Sequence, residues 1–165
     1  MKTLKIFIAL LAFSTSVAYA QFTKAELQVS GLTCSMCSKA TEKSLRTLGF
    51  IGDVKTDLNR NVFILTFKRD VPVSLEQISK KVQGAGFSVS NLKATFNFAN
   101  VNIANNSFSY AGENYHIVSP LAKEPNGLAT FTVVDKGFAP VSVYKKYSGA
   151  VTNSNKPGKA YRITI

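Results

Sequence analysis

The chain has 165 residues, of which 20 are basic, 9 acidic and only two cysteine, a length that allows one compact domain or two small ones. Its formal charge of +11 is spread without a dense basic run, which argues against a nucleic-acid-binding stripe and for a solvated basic surface. A single histidine, no glycine-rich phosphate loop and no paired carboxylates give enzymatic chemistry no foothold, so a non-enzymatic protein is expected.

In chain order, residues 1–20 begin with Lys2 and Lys5, continue through the apolar run IFIALLAF and end on Ala18-Tyr19-Ala20. A basic start, a short apolar core and a small-x-small end describe a cleaved secretory signal, with the mature chain starting at Gln21. The apolar core is too short to span a bilayer, which takes about 20 residues, and nothing later is longer. The expectation is a soluble protein of the periplasm or the secreted fraction, with a charge of +9 once the two leader lysines are gone.

Residues Ala25 to Leu32 alternate apolar and polar side chains as a half-buried strand does. Directly after it comes GLTCSMC, with Cys34 and Cys37. Beyond the cysteines, Ala40, Thr41, Ser44, Leu45 and Leu48 recur at helical spacing and Gly49 closes the helix. Strands are predicted over Val54–Leu58 and Val62–Phe67, separated by the turn residues Asn59-Arg60-Asn61. Ser74 with Gln77 three residues on reads as the start of a second helix, whose inward face is Leu75, Ile78, Val82 and Ala85. Gly84 and Gly86 end it, and Phe87 opens another strand. The order strand, helix, strand, strand, helix, strand is the ferredoxin-like double split unit, so an α+β fold is expected for residues 22–94.

Texture changes near residue 95. Residues 96–165 contain ten aromatic residues and many asparagines but no helical period. Strands are predicted around Thr95–Phe98, Asn114–Val118, Ala129–Val134, Val141–Tyr147 and Tyr161–Ile165. Five short strands in this length predict a second, mostly β domain, a small closed or nearly closed OB-like barrel. The run NVNIANNSFSYAGEN reads as a polar turn region between strands, and Asp135-Lys136-Gly137 as a turn after a strand.

The chemistry concentrates at Cys34 and Cys37. Thiols three residues apart at the start of a helix reach a common point, where the macrodipole favours the thiolate. They can hold one ion or bond to each other. Export would place them where a disulfide is the default. A link across three residues restrains the unfolded chain little, so reactivity or metal capture explains the spacing better than stapling. Zinc normally takes four ligands, and the sequence offers no nearby histidine or acid. Soft Cu(I), and likewise Hg(II), accepts few thiolates; Cu(I) is the preferred ion, with Hg(II) or Zn(II) as alternatives. Met36 reads as an exposed loop residue and His116 as a strand or turn residue.

Residues 25–94 resemble the heavy-metal-associated domain family, which includes small copper chaperones, metal-binding modules of copper-transporting ATPases and periplasmic mercury-binding proteins. The family motif GMTCxxC is met by Gly31, Leu32, Thr33, Cys34, Ser35, Met36 and Cys37, with leucine where the first methionine is usual. The resemblance implies that Cys34 and Cys37 are the metal ligands and that Leu32 packs inward beneath the loop. Phe87 falls where relatives place an aromatic residue or a lysine near the metal loop; phenylalanine is more like the ATPase modules and the bacterial mercury proteins. The implied role is that of a monomeric metallochaperone or metal-resistance protein, passing the ion to or from a metal-transporting ATPase or another thiol- or methionine-bearing carrier. A thiol-disulfide redox protein using the same pair is the alternative.

Overall fold

The structure, a computed structural model, describes residues 21–121, 123–149 and 158–165. The leader, its cleavage site and the localisation inferred from them rest on residues 1–20, which lie outside the described residues. Among the described residues, no helix is long and apolar enough to cross a membrane.

The first half is ferredoxin-like. Strand β1 (Gln21–Ser30) leads into helix α1 (Ser35–Arg46), then the hairpin β2 (Ile51–Asp57) and β3 (Val62–Phe67), helix α2 (Leu75–Gly84) and strand β4 (Ser88–Asn97). These strands lie in the order β2-β3-β1-β4, every neighbouring pair antiparallel. On β1 the buried residues are Phe22, Ala25, Leu27 and Val29. The three-residue step from Phe22 to Ala25 coincides with a register shift against β4 between Phe22 and Lys24, so a bulge returns Phe22 to the core face. Both helices lie on that face: Leu45 of α1 and Leu75, Ile78 and Val82 of α2 join Leu27, Leu65 and Leu92 in one apolar cluster. Ser74 caps α2 as the sequence predicts, its hydroxyl accepting from the Gln77 N–H at 3.4 Å.

The same sheet continues beyond β4. It adds β7 (Leu128–Val133), β8 (Ala160–Thr164), β6 (Glu113–Ile117) and β5 (Ser107–Tyr110), giving eight strands in the order β2-β3-β1-β4-β7-β8-β6-β5. Among the described residues, only β6 and β8 run parallel. Thr95–Phe98, expected to open a separate strand, is largely the tail of β4; Thr95, Phe96 and Asn97 pair with Thr130, Ala129 and Leu128 of β7. No ladder joins β4 to β5 among the described residues, so the sheet is open there. The sheet nevertheless curls enough to bring Phe108 of β5 within 5.4 Å of Phe96 of β4, centroid to centroid, and Tyr110 within 5.2 Å of Phe22 of β1. Aromatic side chains bridge the gap that backbone hydrogen bonds leave.

Two segments of the second half depart from the sequence reading. Val141–Tyr147, expected as a strand, is helix α3. Its V-S-V-Y alternation suits a strand, but Pro140 accepts a helical bond from the Tyr144 N–H at 3.0 Å and Arg162 anchors the far end. The Arg162 guanidinium donates to the Tyr147 carbonyl at 3.2 Å and lies 5.5 Å from the centre of the Tyr144 ring, a cation at a helix C-terminus. The asparagine-rich run, expected to be a turn region, contains β5. It pairs with β6 across Ala111 and Gly112, whose φ values of 50° and 81° make a two-residue turn of the primed kind. Asp135-Lys136-Gly137 is a turn as read, with the Phe138 N–H closing on the Asp135 carbonyl.

Candidate metal centre

The loop between β1 and α1 is built from the strand end upward. Gly31 adopts φ +89°, a conformation that side-chain-bearing residues rarely hold, and this turns the chain off the sheet. Leu32 is 8% exposed and sits in the core, as the family resemblance implies. Cys34 then takes the N-cap position of α1, with an extended backbone (φ −139°, ψ 152°), and its sulfur accepts the Cys37 N–H at 3.2 Å. That bond uses one of the helix's otherwise unpaired N–H groups on the sulfur itself.

Beneath the cysteines lie two buried hydroxyl side chains. Thr41, fully buried, donates to the Cys37 carbonyl at 3.0 Å, and Ser38, 3% exposed, reaches the Cys34 carbonyl at 3.5 Å. Each stands four residues after the cysteine whose carbonyl it meets, so the first turn of α1 is held from below by its own sequence. Ser38 was not among the candidate residues; its only signal is that spacing.

Cys34 is exposed, Cys37 is half-buried against the core, and the two are joined as a disulfide with Cα atoms 5.3 Å apart. Met36, between them, is 74% exposed. Phe87 is half-buried and packs on the core; its Cδ1 lies 3.5 Å from where a Cβ on Gly31 would stand, so it flanks the root of the loop. Its place follows from the end of α2. Gly86, at φ +88°, lets the Phe87 N–H reach back to the Val82 carbonyl at 3.1 Å, a Schellman-type stop.

His116 is not part of this site. It lies on β6, separated from β1 by three strands in the sheet, and its Nδ1 is 2.7 Å from the Ser107 hydroxyl. Among the described residues, no group of three or more histidine, cysteine or acidic side chains converges on one point. Nor does any acidic residue stand in the first turn of α1. Nearby carboxylates are engaged further along that helix. Arg46 meets Glu42 at 2.9 Å and Asp53 at 3.1 Å, and its hydrogen bonds hold both carboxyls below their ordinary range. The donor set is therefore two sulfurs at a helix N-terminus. Once reduced, it suits a soft cation of low coordination number and leaves room for a further ligand.

A βαββαβ unit carrying this loop defines the class: a small heavy-metal-binding module. The family comparison agrees. Residues 26–88 match the family model of the heavy-metal-associated domain, and this part of the chain is such a domain. No curated protein matches the chain. Among solved structures, it is similar to the yeast copper transporter domain CCC2A at 25% identity, covering 41% of this chain and 90% of that one, with a TM-score of 0.37. The CopZ metallochaperone matches at 19% identity over 41% of this chain and 98% of that one, with a TM-score of 0.38. The N-terminal domain of ZntA, solved without metal, matches at 23% identity over 42% and 90%, with a TM-score of 0.36.

Proposed function

We propose that this protein is an exported, soluble carrier of a soft metal ion, Cu(I) by preference, held by Cys34 and Cys37 and passed to or from a partner. The observation that carries the reading is the pair of cysteines at the N-terminus of α1, Cys34 exposed, inside a heavy-metal-associated domain and without a third histidine, cysteine or acidic side chain converging on them among the described residues. Two thiolates hold Cu(I) while leaving a coordination position open, so a thiol or thioether of a partner enters before the chain lets go. Each step then exchanges one metal–sulfur bond for another. The partner class is a metal-transporting ATPase or another thiol- or methionine-bearing carrier, and the chain acts as a monomer without enzymatic turnover.

The periplasmic or secreted location follows from the leader sequence alone. For residues 96–165 the proposal keeps the OB-like reading, as a nearly closed unit built onto β4. The order β4-β7-β8-β6-β5 with one parallel pair, and the ring contacts across the β4–β5 gap, support it.

The test is an anaerobic Cu(I) titration of the reduced mature chain against a chromophoric chelator, beside the Cys34→Ser/Cys37→Ser double variant. One ion per chain, lost in the variant, is the expected outcome. Equal binding by both proteins would sink the proposal. Parallel titrations with Hg(II) and Zn(II) rank the metals. The second reading, a thiol-disulfide redox protein, is favoured by the disulfide itself. It predicts catalytic turnover of disulfide substrates by the wild-type chain that the double variant lacks.

A further inference from the structure

We propose that the face of the sheet over β3, β1 and β4 that turns away from the helices binds the C-terminal end of a short peptide, whose carboxylate and last amide group are the parts recognised. Strand alternation puts Glu26 and Gln28 of β1, Val62 of β3, and Asn91 and Lys93 of β4 on that face, opposite the core side where α1 and α2 lie. The register arranges them as a grid. Gln28 stands between Val62 and Asn91, and Glu26 stands beside Lys93. Together with Arg60, from the turn between β2 and β3, these residues line a hollow of about 300 Å³, at the lower end of the sizes that small-ligand sites take.

The floor of the hollow is apolar: Val62 is 6% exposed although it points away from both helices of this half. The walls are unspent hydrogen-bonding groups. The side-chain amides of Gln28 and Asn91 and the ammonium of Lys93 engage no partner among the described residues. Arg60 is placed by its own turn, where Asp57 Oδ1 accepts from the N–H groups of Asn59 and Arg60 at 3.1 and 3.2 Å. Its guanidinium lies 3.9 Å from the Asp57 carboxylate and 4.0 Å from that of Glu26, beyond hydrogen-bond distance. Exposed pairs of this kind are worth little, so a ligand displaces them at small cost. Glu26 also meets Lys24 at 3.6 Å, on the side away from Lys93.

The chemistry of the lining selects the ligand. A side-chain amide offers two N–H donors and an acceptor oxygen, the complement of a peptide group. Arg60 and Lys93 supply two cations against the single carboxylate of Glu26, and a guanidinium grips a carboxylate through two parallel N–H donors. The hollow is therefore set for one negative charge, and Glu26 repels a second. A terminal carboxylate with an amide beside it meets both demands. A bare anion uses the cations alone, and a neutral peptide uses the amides alone.

The experiment is a titration of the mature chain followed by two-dimensional heteronuclear NMR, which observes the side-chain amides of Gln28 and Asn91 directly. The probes are N-acetyl-alanyl-alanine, the same peptide with its C-terminus amidated, and acetate. Saturable shifts at Gln28, Asn91 and their neighbours are expected with the free acid. The amidated peptide should bind about tenfold more weakly, the worth of one charge-assisted contact. In the Arg60→Gln/Lys93→Gln variant, two exposed positions, the acid should lose that advantage. Equal binding of the two peptides to the wild-type chain overturns the proposal, as do shifts that never saturate or that centre elsewhere on the chain. Acetate moving the same signals as strongly as the peptide acid also overturns it, because the amides would then read nothing. The comparison of the two peptides on the wild-type chain decides the matter even if the variant fails to fold.

Discussion

The two halves of this sheet solve the same problem with different materials. Around β1, β2 and β3 the sheet is covered by two amphipathic helices, and the loop ahead of α1 presents Cys34 to solvent with Cys37 half-buried against the core. Around β5 to β8 the cover is supplied by the sheet's own curl and by aromatic rings: Phe22, Phe96, Phe98, Phe108, Tyr115 and Phe131 pack with centroids 4.9 to 6.5 Å apart. Among the described residues, the paired sulfurs of Cys34 and Cys37 lie in the first half. The comparison teaches that chemistry and mechanical support are separated here: one half presents a reactive loop, and the other ties down the strand and helix next to it.

That division can be broken first at the rings. Phe96 is fully buried and touches Phe22, Phe98, Phe108, Tyr110 and Phe131, linking β4 to β1, β5 and β7. Phe96→Ala should cost about 3–5 kcal/mol in urea unfolding, the usual range for emptying a core phenylalanine site. The surviving folded fraction should still bind one Cu(I), because the cysteine loop lies at the opposite end of β4 from Phe96. A loss of stoichiometry in the folded fraction would show that the halves are not separable in function.

The second break is Arg162. It pairs with Asp135 at 3.0 Å, both side chains about 15% exposed, and it holds the end of α3 through Tyr147. Arg162→Ala leaves Asp135 without its partner and α3 without its anchor, and should cost about 2–4 kcal/mol. Far-UV circular dichroism should show helix loss confined to roughly one short helix, while metal binding stays as in wild type. A smaller effect is expected at Ser79, 5% exposed on α2, whose hydroxyl donates to the Gly137 carbonyl of the second half at 3.3 Å. The same hydroxyl accepts from the Gln83 side-chain amide at 3.0 Å, so Ser79→Ala removes two hydrogen bonds and should lower stability by about 1–2 kcal/mol. An unchanged midpoint would mean that the β4–β7 ladder and the rings hold the halves together without the Ser79–Gly137 bond.

Legibility in the sequence follows the same line. The first half could be read because its signals are local: alternation along β1, the Ser74 cap, the glycine stop at 86 and a seven-residue motif. Strand β3 was read to the residue, Val62–Phe67. The cysteine pair was legible as a motif at the start of a helix, but its support was not, since Ser38 and Thr41 act through carbonyl contacts that only the folded helix reveals. In the second half, strands β6, β7 and β8 were found, while β5 and α3 were missed. Strand β5 is four residues long and enters its hairpin through Ala111 at φ 50°, where turn chemistry favours asparagine or glycine. Helix α3 buries no side chain and depends on Arg162, fifteen residues beyond Tyr147. A period cannot announce a helix whose stability comes from a distant arginine.

The finest test of the comparison concerns Glu113, a carboxylate half-buried beside two tyrosines of the aromatic half. Glu113 accepts hydrogen bonds from the hydroxyls of Tyr115 at 3.0 Å and Tyr161 at 3.4 Å, beside Lys159, which reaches Glu76 of α2 at 3.6 Å. Burial raises the Glu113 carboxyl above its ordinary range, outweighing the two hydroxyl donors and the attraction of Lys159, with the charge of Glu76 adding to the rise. The sign follows from linkage: a carboxyl whose folded value exceeds its unfolded value favours the folded state when protonated. Its contribution is full below the unfolded value and is lost as pH rises through the folded value. The engaged carboxylates of the first half, Glu42 and Asp53, have the opposite sign, because theirs appears above the unfolded value and is lost on acidification. Replacing Glu113 by Gln removes the first dependence and leaves the second. Urea midpoints measured from pH 4 to 7 should therefore show the variant gaining on the wild type as pH rises. A constant difference across that range would mean that Glu113 titrates alike in both states, and that the aromatic half encloses it less than its contacts imply.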